Sequence, residues 1–131
     1  MTGETNLNEL LRSMQPVLLT EEYVFCTLPP TRPIPELLTP MGTFREAEGL
    51  TLIVMKTQAE QAELPYSYPC RMITLNIHSS LEAVGFLARI TAMLAAHGIS
   101  VNAVSAFYHD HLFVPTARAD EALQLLRKLS D

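Results

Sequence analysis

The stretch that decides the fold is residues 70–115, CRMITLNIHSSLEAVGFLARITAMLAAHGISVNAVSAFYHDHLFVP. It reads as an apolar strand, a polar turn, a long apolar helix and two strands joined by a tight turn. We predict the helix over Leu81–His97, because this segment has no proline and Gly98 follows it where a left-handed cap costs least. The apolar residues extend well beyond half of the helical wheel. We therefore expect the helix to pack on its own sheet on one side and on another module or subunit on the other.

The segments before Cys70 predict a shorter series of elements with a proline-rich connection. In chain order they are a helix over residues 7–14, a strand over 23–28, an extended proline-rich segment over 29–40, strands over 42–47 and 50–55, and a helix over 57–64. A linker bracketed by Pro65 and Pro69 then leads into the central stretch.

An internal repeat is found when the chain is aligned with itself so that position 52 falls on position 112. Five residues of the first half then fall on similar residues of the second, namely Leu52, Val54, Ala59, Glu60 and Ala62 on Leu112, Val114, Ala119, Asp120 and Ala122. Each half has the order strand, connection, strand, strand, helix, which is the ferredoxin-like order without its last strand. Only Ser130 and Asp131 follow Leu129. The second half must therefore borrow a closing strand from the first half or from another subunit.

The repeat predicts the fold class and the division of the chain. We expect an α+β, ferredoxin-like βαββαβ fold in two interlocked modules with a mostly antiparallel sheet. The predicted modules are residues 1–66, with an N-terminal helix and the proline-rich loop, and residues 67–131.

Composition and charge narrow the classes of function. A chain of 131 residues with 48% hydrophobic content should fold compactly. Nine Lys and Arg against 14 Asp and Glu give a net charge of −5 without a basic cluster, which disfavours a nucleic-acid partner. No apolar segment approaches the ~20 residues that span a bilayer, and the N-terminus lacks the pattern of a signal peptide. We therefore expect a cytoplasmic protein without a membrane partner, in which Cys26 and Cys70 are buried thiols; a disulfide between paired strands is the less favoured alternative.

The run SSLEAVGFLARITAMLAAHGISVNAVSAFYHDHLFVP, residues 79–115, resembles the ACT domain family. The shared pattern is a strand, a turn, a glycine early in the first helix and a GI-x-(V/I)-x entry to the second strand. The segments TFREAEGLTLI (43–53) and LPYSYP (64–69) resemble small bacterial proteins with two unequal ACT-like modules in one chain. The resemblance implies a regulatory module that binds an amino acid or a similar small ligand at an interface between modules. It also implies a homo-oligomer, dimer or tetramer, without enzymatic activity or a cofactor.

The predicted ligand site is the turn before the central helix, together with the start of the strand that follows it. Its residues are His78, Ser79, Ser80, Val84, Gly85, Phe86, Val101 and Asn102. Backbone N–H groups at a helix start can hold a carboxylate, and Gly85 lets a ligand or a facing backbone approach closely. Asn102 can hold an amino or amide group, or it can satisfy an edge backbone group. Ser79 and Glu82 also form a capping box for some of the same N–H groups, which is compatible with a ligand that uses part of the turn.

Two other classes of function stay open from the sequence. One is an interaction module that oligomerises without a ligand. The other is a small ferredoxin-like enzyme that uses His78 or His109 at a subunit interface, although none of the common catalytic motifs is present. A metal site of His78, His109 and His111 is conceivable. The exposed turn and the lack of a cysteine or a spaced carboxylate pair disfavour it, so we predict no metal.

Overall fold

The structure is a computed structural model that describes residues 6–77 and 83–131. Its helices and strands, in chain order, are α1 (Leu7–Ser13), β1 (Pro16–Leu28), β2 (Gly42–Arg45), β3 (Leu50–Met55), α2 (Lys56–Gln61), β4 (Ser67–Leu75), α3 (Phe86–Ala96), β5 (Asn102–Ser105), β6 (Asp110–Pro115) and α4 (Ala119–Ser130). A single 3-10 turn, Thr116–Arg118, precedes α4. None of the helices in the described residues is long and apolar enough to cross a membrane.

The strands form a sheet in the order β2-β3-β1-β4-β6-β5. Antiparallel pairing joins β1 to β3, β2 to β3, and β5 to β6. With helices between and after the strands, this arrangement confirms the predicted α+β, ferredoxin-like fold. The two short strands β2 and β5 are the ends of the strand order.

The described residues divide into two compact units. The large unit contains the residues up to Thr20 and those from Arg71 onward, and the small unit is Glu21–Cys70. Strands β1 and β4 each have residues in both units. In the large unit the N–H of Asn76 donates to the C=O of Gln15 at 3.0 Å, so the chain entering β1 lies beside the end of β4. The closing strand of the second half is therefore supplied by the first half.

The predicted boundary between residues 66 and 67 stays a prediction about the sequence modules. The compact units follow packing, and by that criterion α1 falls in the large unit. Leu10 and Met14 are buried in the same hydrophobic cluster as residues of α3 and α4. Helix α1 starts where Asn6 accepts a hydrogen bond from the N–H of Glu9 at 3.1 Å.

The core of the large unit lies where α1, α3 and α4 meet one face of its strands. Alternate strand residues point into it, in accord with the period of two in a β-strand. Its fully buried strand residues are Ile73, Leu75, Leu112 and Val114. Helix α3 adds Phe86, Ile90 and Leu94, which are spaced by about one helical turn.

The core of the small unit is covered by one short helix and a loop. Its buried members are Val24, Cys26, Leu28, Leu38, Leu52, Val54, Ala59 and Leu64. Leu38 comes from the proline-rich connection, which therefore lies where the large unit has a helix. The side chain of Gln58 fixes this loop, because it accepts from the N–H of Thr39 at 3.0 Å and donates to its hydroxyl at 2.9 Å.

The repeat found in the sequence is present in the strands without a shift. Strands β2 and β3 begin and end at the positions that the repeat makes equivalent to the ends of β5 and β6. The pairing register repeats as well, since Phe44 lies opposite Thr51 and Val104 lies opposite His111. The two halves differ in the connection before this hairpin. It spans positions 29–41 in the small unit, and positions 76–101 in the large unit, where it is twice as long.

Three elements begin at least three residues away from their predicted starts. Strand β1 begins at Pro16 instead of Tyr23, and β4 begins at Ser67, inside the predicted linker. Helix α3 begins at Phe86 instead of Leu81. The residue before it, Gly85, has φ 89°, which is incompatible with a continuous right-handed helix. Leu81 lies outside the described residues.

Candidate functional site

The start of α3 is the part of the predicted site that the structure describes. Gly85 is the N-cap residue of this helix and has a left-handed conformation, φ 89° and ψ −9°. Its C=O accepts from the N–H of Arg89 at 2.9 Å, which closes the first helical turn. The N–H groups of that first turn have no acceptor within the helix and carry its partial positive charge. They are the groups that could hold a ligand carboxylate.

Among residues 6–77 and 83–131, little surrounds the side of Gly85 on which a side chain would project. The nearest atom to a Cβ built at this position is Cδ2 of Leu7, at 3.9 Å. Leu7 belongs to α1 and is partly buried against the large-unit core. Its position beside the predicted site was not foreseen from the sequence, because nothing in the spacing of residues 7–14 relates them to residue 85.

Three of the eight predicted site residues, His78, Ser79 and Ser80, lie outside the described residues, as does Glu82 of the predicted capping box. Within the part of the chain that the structure describes, no side chain caps α3. At this turn, the described part of the predicted ligand site is therefore Val84, Gly85 and Phe86.

Val84 and Phe86 flank Gly85 but differ in exposure. Val84 is 84% exposed and Phe86 is buried in the large-unit core. The phenyl ring therefore contributes to packing, and only the backbone N–H of Phe86 can serve a ligand at the helix start. Val84 has the exposed side chain that a ligand bound there could cover.

Val101 and Asn102 lie at a second place in the large unit. Val101 is half-buried and lines a groove along α3 with a volume of about 550 Å³. The other residues that line it are Ala88, Thr91, Ala92, Ala95, Ile99 and Ser100. Asn102 is exposed and opens β5, where it lies opposite Phe113. Among the described residues of the predicted site, Val84, Gly85 and Phe86 thus lie at the start of α3, Val101 lies in the groove, and Asn102 lies at the start of β5.

The groove along α3, which we call the α3 groove, has no ionisable side chain in its lining. Its floor is made by small residues at Ala88, Ala92 and Ala95, three or four positions apart on one helical face. The sequence contains this spacing, but we predicted only that the wide apolar surface of the helix contacts its own sheet and another module or subunit, and we did not predict a groove.

His109 of the turn between β5 and β6, and His111 of β6, are both held by polar neighbours. Nδ1 of His109 lies 3.2 Å from the C=O of Ile77, and Nδ1 of His111 lies 3.0 Å from the hydroxyl of Thr74. Burial lowers the pKa of His111, the neighbouring His109 lowers it further, and Asp110 acts in the opposite direction. These contacts orient both rings. In residues 6–77 and 83–131, no three His, Cys, Asp or Glu side chains are grouped so that they could bind one.

The two cysteines, Cys26 and Cys70, contribute to packing as buried thiols. Both are buried and neither is in a disulfide. Burial raises the pKa of Cys70 to about 12, with a smaller contribution from Glu22, and its thiol donates to the C=O of Tyr23 at 3.3 Å. A thiol that stays protonated and hydrogen-bonded is a poor nucleophile.

The small unit has a separate cleft of about 360 Å³. It is lined by Phe25, Cys26, Thr27, Thr51, Pro65, Tyr66 and Ser67. The hydroxyl of Thr51 donates to the carboxylate of Glu46 near this cleft, so one of its polar groups is already satisfied. None of the residues predicted as a ligand site lies here.

Two ACT domain family models match the chain, one over residues 2–71 and the other over residues 67–128. Together they cover nearly all of its length. No match was found among curated proteins.

Several solved structures are similar to this chain over most of its length. A Vibrio cholerae protein of unknown function, described as a possible transport protein, is 44% identical with a TM-score of 0.85, covering 95% of this chain and 96% of its own. An Agrobacterium tumefaciens protein is 19% identical with a TM-score of 0.75, covering 89% of each chain. The ligand-free regulatory subunit of aspartate kinase from Thermus thermophilus is 10% identical with a TM-score of 0.67, covering 92% of this chain and 99% of its own. The last two likenesses concern the fold alone.

Proposed function

This chain belongs to the ACT domain family, and on that premise we propose that it is a non-catalytic regulatory module that binds an amino acid or a similar small ligand. We propose that it works in the cytoplasm as a homo-oligomer, dimer or tetramer, and needs no cofactor. The family and the pair of domains support the regulatory role. The Thermus thermophilus protein with the same fold is itself a regulatory subunit.

The single observation that carries the ligand proposal is the left-handed Gly85 at the start of α3. Its left-handed conformation separates the preceding backbone from the eleven-residue helix α3. Among the described residues, no side chain caps the first N–H groups of this helix. An α-amino acid has a carboxylate for these groups.

The experiment is calorimetric titration of the purified protein with each of the twenty amino acids, combined with thermal shift. We expect one or a few closely related amino acids to give heat and to raise the melting temperature, because a ligand that binds only the folded state stabilises it. No heat and no thermal shift with any of them would refute ligand binding and favour the interaction module without a ligand.

A matched pair of glycine variants tests the location of the site. Gly85→Ala and Gly98→Ala both place a side chain at a positive φ, 89° and 72°, at opposite ends of α3. Both should lower stability by about 1 kcal/mol. Only Gly85→Ala should also weaken ligand binding, by roughly tenfold, because the added methyl group would occupy the space beside the N–H groups. Equal binding by both variants would place the ligand elsewhere.

A further inference from the structure

We propose that the cleft of the small unit, which we call the small-unit cleft, is a second ligand site that binds a small aromatic amine. Such a compound has one aromatic ring, a protonated amino group and no carboxylate. The site at Gly85 belongs to the large unit and is proposed to hold a carboxylate, whereas this one holds an ammonium group. The inference therefore goes beyond the proposed function, and neither proposal depends on the other.

Three residues of the small-unit cleft project from the face of the strands opposite to the small-unit core. Cys26 and Leu28 of β1 are buried in that core, and side chains alternate along a strand. Phe25 and Thr27 therefore project to the other face, where Thr27 lies opposite Thr51 of β3. The volume of about 360 Å³ is at the low end for small-molecule sites, so it suits one aromatic ring with a short chain.

The cleft contains aromatic side chains, one of which is braced by a neighbour. Phe25 and Tyr66 line it, and both are partly exposed. The ring of Tyr68 meets that of Phe25 in an edge-to-face arrangement, with the centroids 5.9 Å apart. Tyr68 has φ 62°, a left-handed conformation that is unfavourable for an aromatic residue and is concentrated at functional sites. Aromatic rings suit an aromatic ligand, and their faces also attract a cation.

The hydroxyl of Thr51 is an acceptor towards a ligand. Its single proton is donated to the carboxylate of Glu46, so only lone pairs remain for another partner. These lone pairs suit the N–H groups of an ammonium, and the negative charge of Glu46 lies one hydrogen bond behind them. A ligand carboxylate would meet lone pairs and a like charge at the same place. The hydroxyls of Thr27 and Ser67 also line the cleft and can turn to accept.

The charge of the small unit favours a cation over an anion. Residues 21–70 include three Lys and Arg and seven Asp and Glu, so this unit has a net charge of −4 out of the −5 of the whole chain. Such a field attracts a cationic ligand. Among the described residues, those that line the cleft include no Lys or Arg to hold a carboxylate. An amine without a carboxylate therefore fits the cleft better than an amino acid does.

An NMR titration of the isotope-labelled protein with two matched compounds tests the site. Phenethylamine and phenylalanine share the aromatic ring and the amino group, and only phenylalanine has a carboxylate. We expect phenethylamine to shift the backbone amide resonances of Phe25, Thr27, Thr51 and Ser67 in a saturable way, and phenylalanine to leave them nearly unchanged. No saturable shift with the amine would overturn the proposal. Equal affinity of the two compounds at these amides would overturn it as well.

A matched pair of glutamine variants tests the role of the charge. Glu46→Gln removes the negative charge but keeps a side-chain oxygen that can accept from Thr51. Glu48→Gln is the control, because it removes the same charge from the same turn while Thr51 keeps its bond to Glu46. We expect Glu46→Gln to weaken phenethylamine binding roughly two- to fivefold, as for exposed charge pairs, and Glu48→Gln to weaken it less. Equal weakening by both variants would assign binding to net charge alone and overturn the proposal.

The outcomes separate this inference from the proposed amino-acid site. Saturable shifts in the small-unit cleft with phenethylamine, together with a negative amino-acid titration, would retain the amine site and reject the site at Gly85. Amino-acid binding that shifts the amide of Phe86, with no response of the cleft to phenethylamine, would do the reverse.

Discussion

The large and small units contain the same hairpin at repeat-equivalent positions but cover it with different material. In the large unit the longer connection, positions 76–101, contains α3, whose buried residues fill a core shared with α1 and α4. In the small unit the shorter connection, positions 29–41, contributes Leu38 to a core that has α2 as its neighbouring helix. The strand register tolerates this difference because the hairpin turn and its alternate buried residues fix it locally.

In each unit, a side chain at the same position of the repeat forms hydrogen bonds to the connection that precedes the hairpin. In the small unit Gln58 bonds to Thr39 of the proline-rich loop. In the large unit the equivalent residue is Arg118, which donates to the C=O of His97 at 2.9 Å and that of Gly98 at 3.4 Å, at the end of α3. A side chain that fixes the connection is thus retained at this position, although the connection itself differs.

The largest expected effect comes from the cores. Leu52 and Leu112 are equivalent, and both are fully buried. Replacing either by Ala should lower the free energy of unfolding by about 2–5 kcal/mol, because each leaves a cavity in its unit. Urea denaturation measures the loss. A loss well below about 1 kcal/mol for Leu52→Ala would show that the loop-covered core collapses around the cavity, and that the two cores are not equivalent in packing.

The turns should give the next largest difference. Gly49 has φ 157°, and a Cβ at this position would overlap the C=O oxygen of Leu28. The equivalent residue, His109, has a side chain that reaches Ile77. We expect Gly49→Ala to cost about 1–3 kcal/mol, since the backbone must move. Replacement of His109 by Ala should cost less by the same denaturation measurement. The opposite order would mean that the small-unit turn adjusts freely.

The stability of the large unit should depend on pH through His111, which has no titrating equivalent in the small unit. The folded state lowers the pKa of His111 from its ordinary value of 6.5 through burial, whereas the equivalent Thr51 does not titrate. The unfolded chain then binds a proton at higher pH than the folded chain, so stability is complete above this value and falls as the pH decreases below it. Urea midpoints at neutral and mildly acidic pH should differ more for the unmodified protein than for His111→Gln. Equal differences would assign the pH dependence to other groups.

The smallest effects should come from the residues that fix the connections. Gln58→Ala should increase amide hydrogen exchange at Thr39, and Arg118→Ala should increase exchange around the end of α3, because each removes hydrogen bonds to that segment. Both changes are at the surface, so global stability should change little. Increased exchange throughout either unit would show that these side chains stabilise more than their own connection.

Most of the sheet could be predicted from the sequence because its signals are local. The apolar run Leu50–Met55 was predicted as a strand with the bounds that β3 has, and the repeat related this strand to the one that contains Leu112 and Val114. The first residues of β1 were missed because Thr20, Glu21 and Glu22 interrupt the apolar pattern. The first residues of β1 lie beside the end of β4, where the N–H of Asn76 donates to the C=O of Gln15, a residue far away in the sequence. Such a contact leaves no periodic signal in the strand itself.

The candidate site was predicted only in part, because some of its features depend on backbone conformation and on contacts between distant segments. Gly85 was identified as a place of close approach, but its left-handed conformation moves the helix start to Phe86. The sequence placed the start at Leu81 because the apolar spacing continues backwards without a break, and spacing does not report φ. Val101 was placed in the site, whereas the α3 groove beside it depends on how two segments pack. The neighbour of Gly85 on α1, Leu7, depends on packing in the same way.

The passage of β1 and β4 through both units has a consequence for synthesis on the ribosome. All residues of the small unit, Glu21–Cys70, are contiguous and emerge before α3 is made. Helix α1 and the start of β1 emerge even earlier, yet β4, α3 and α4, against which they pack, all lie in the second half of the chain. Leu10 and Met14 therefore have no complete core to pack against until α3 and α4 have been synthesised.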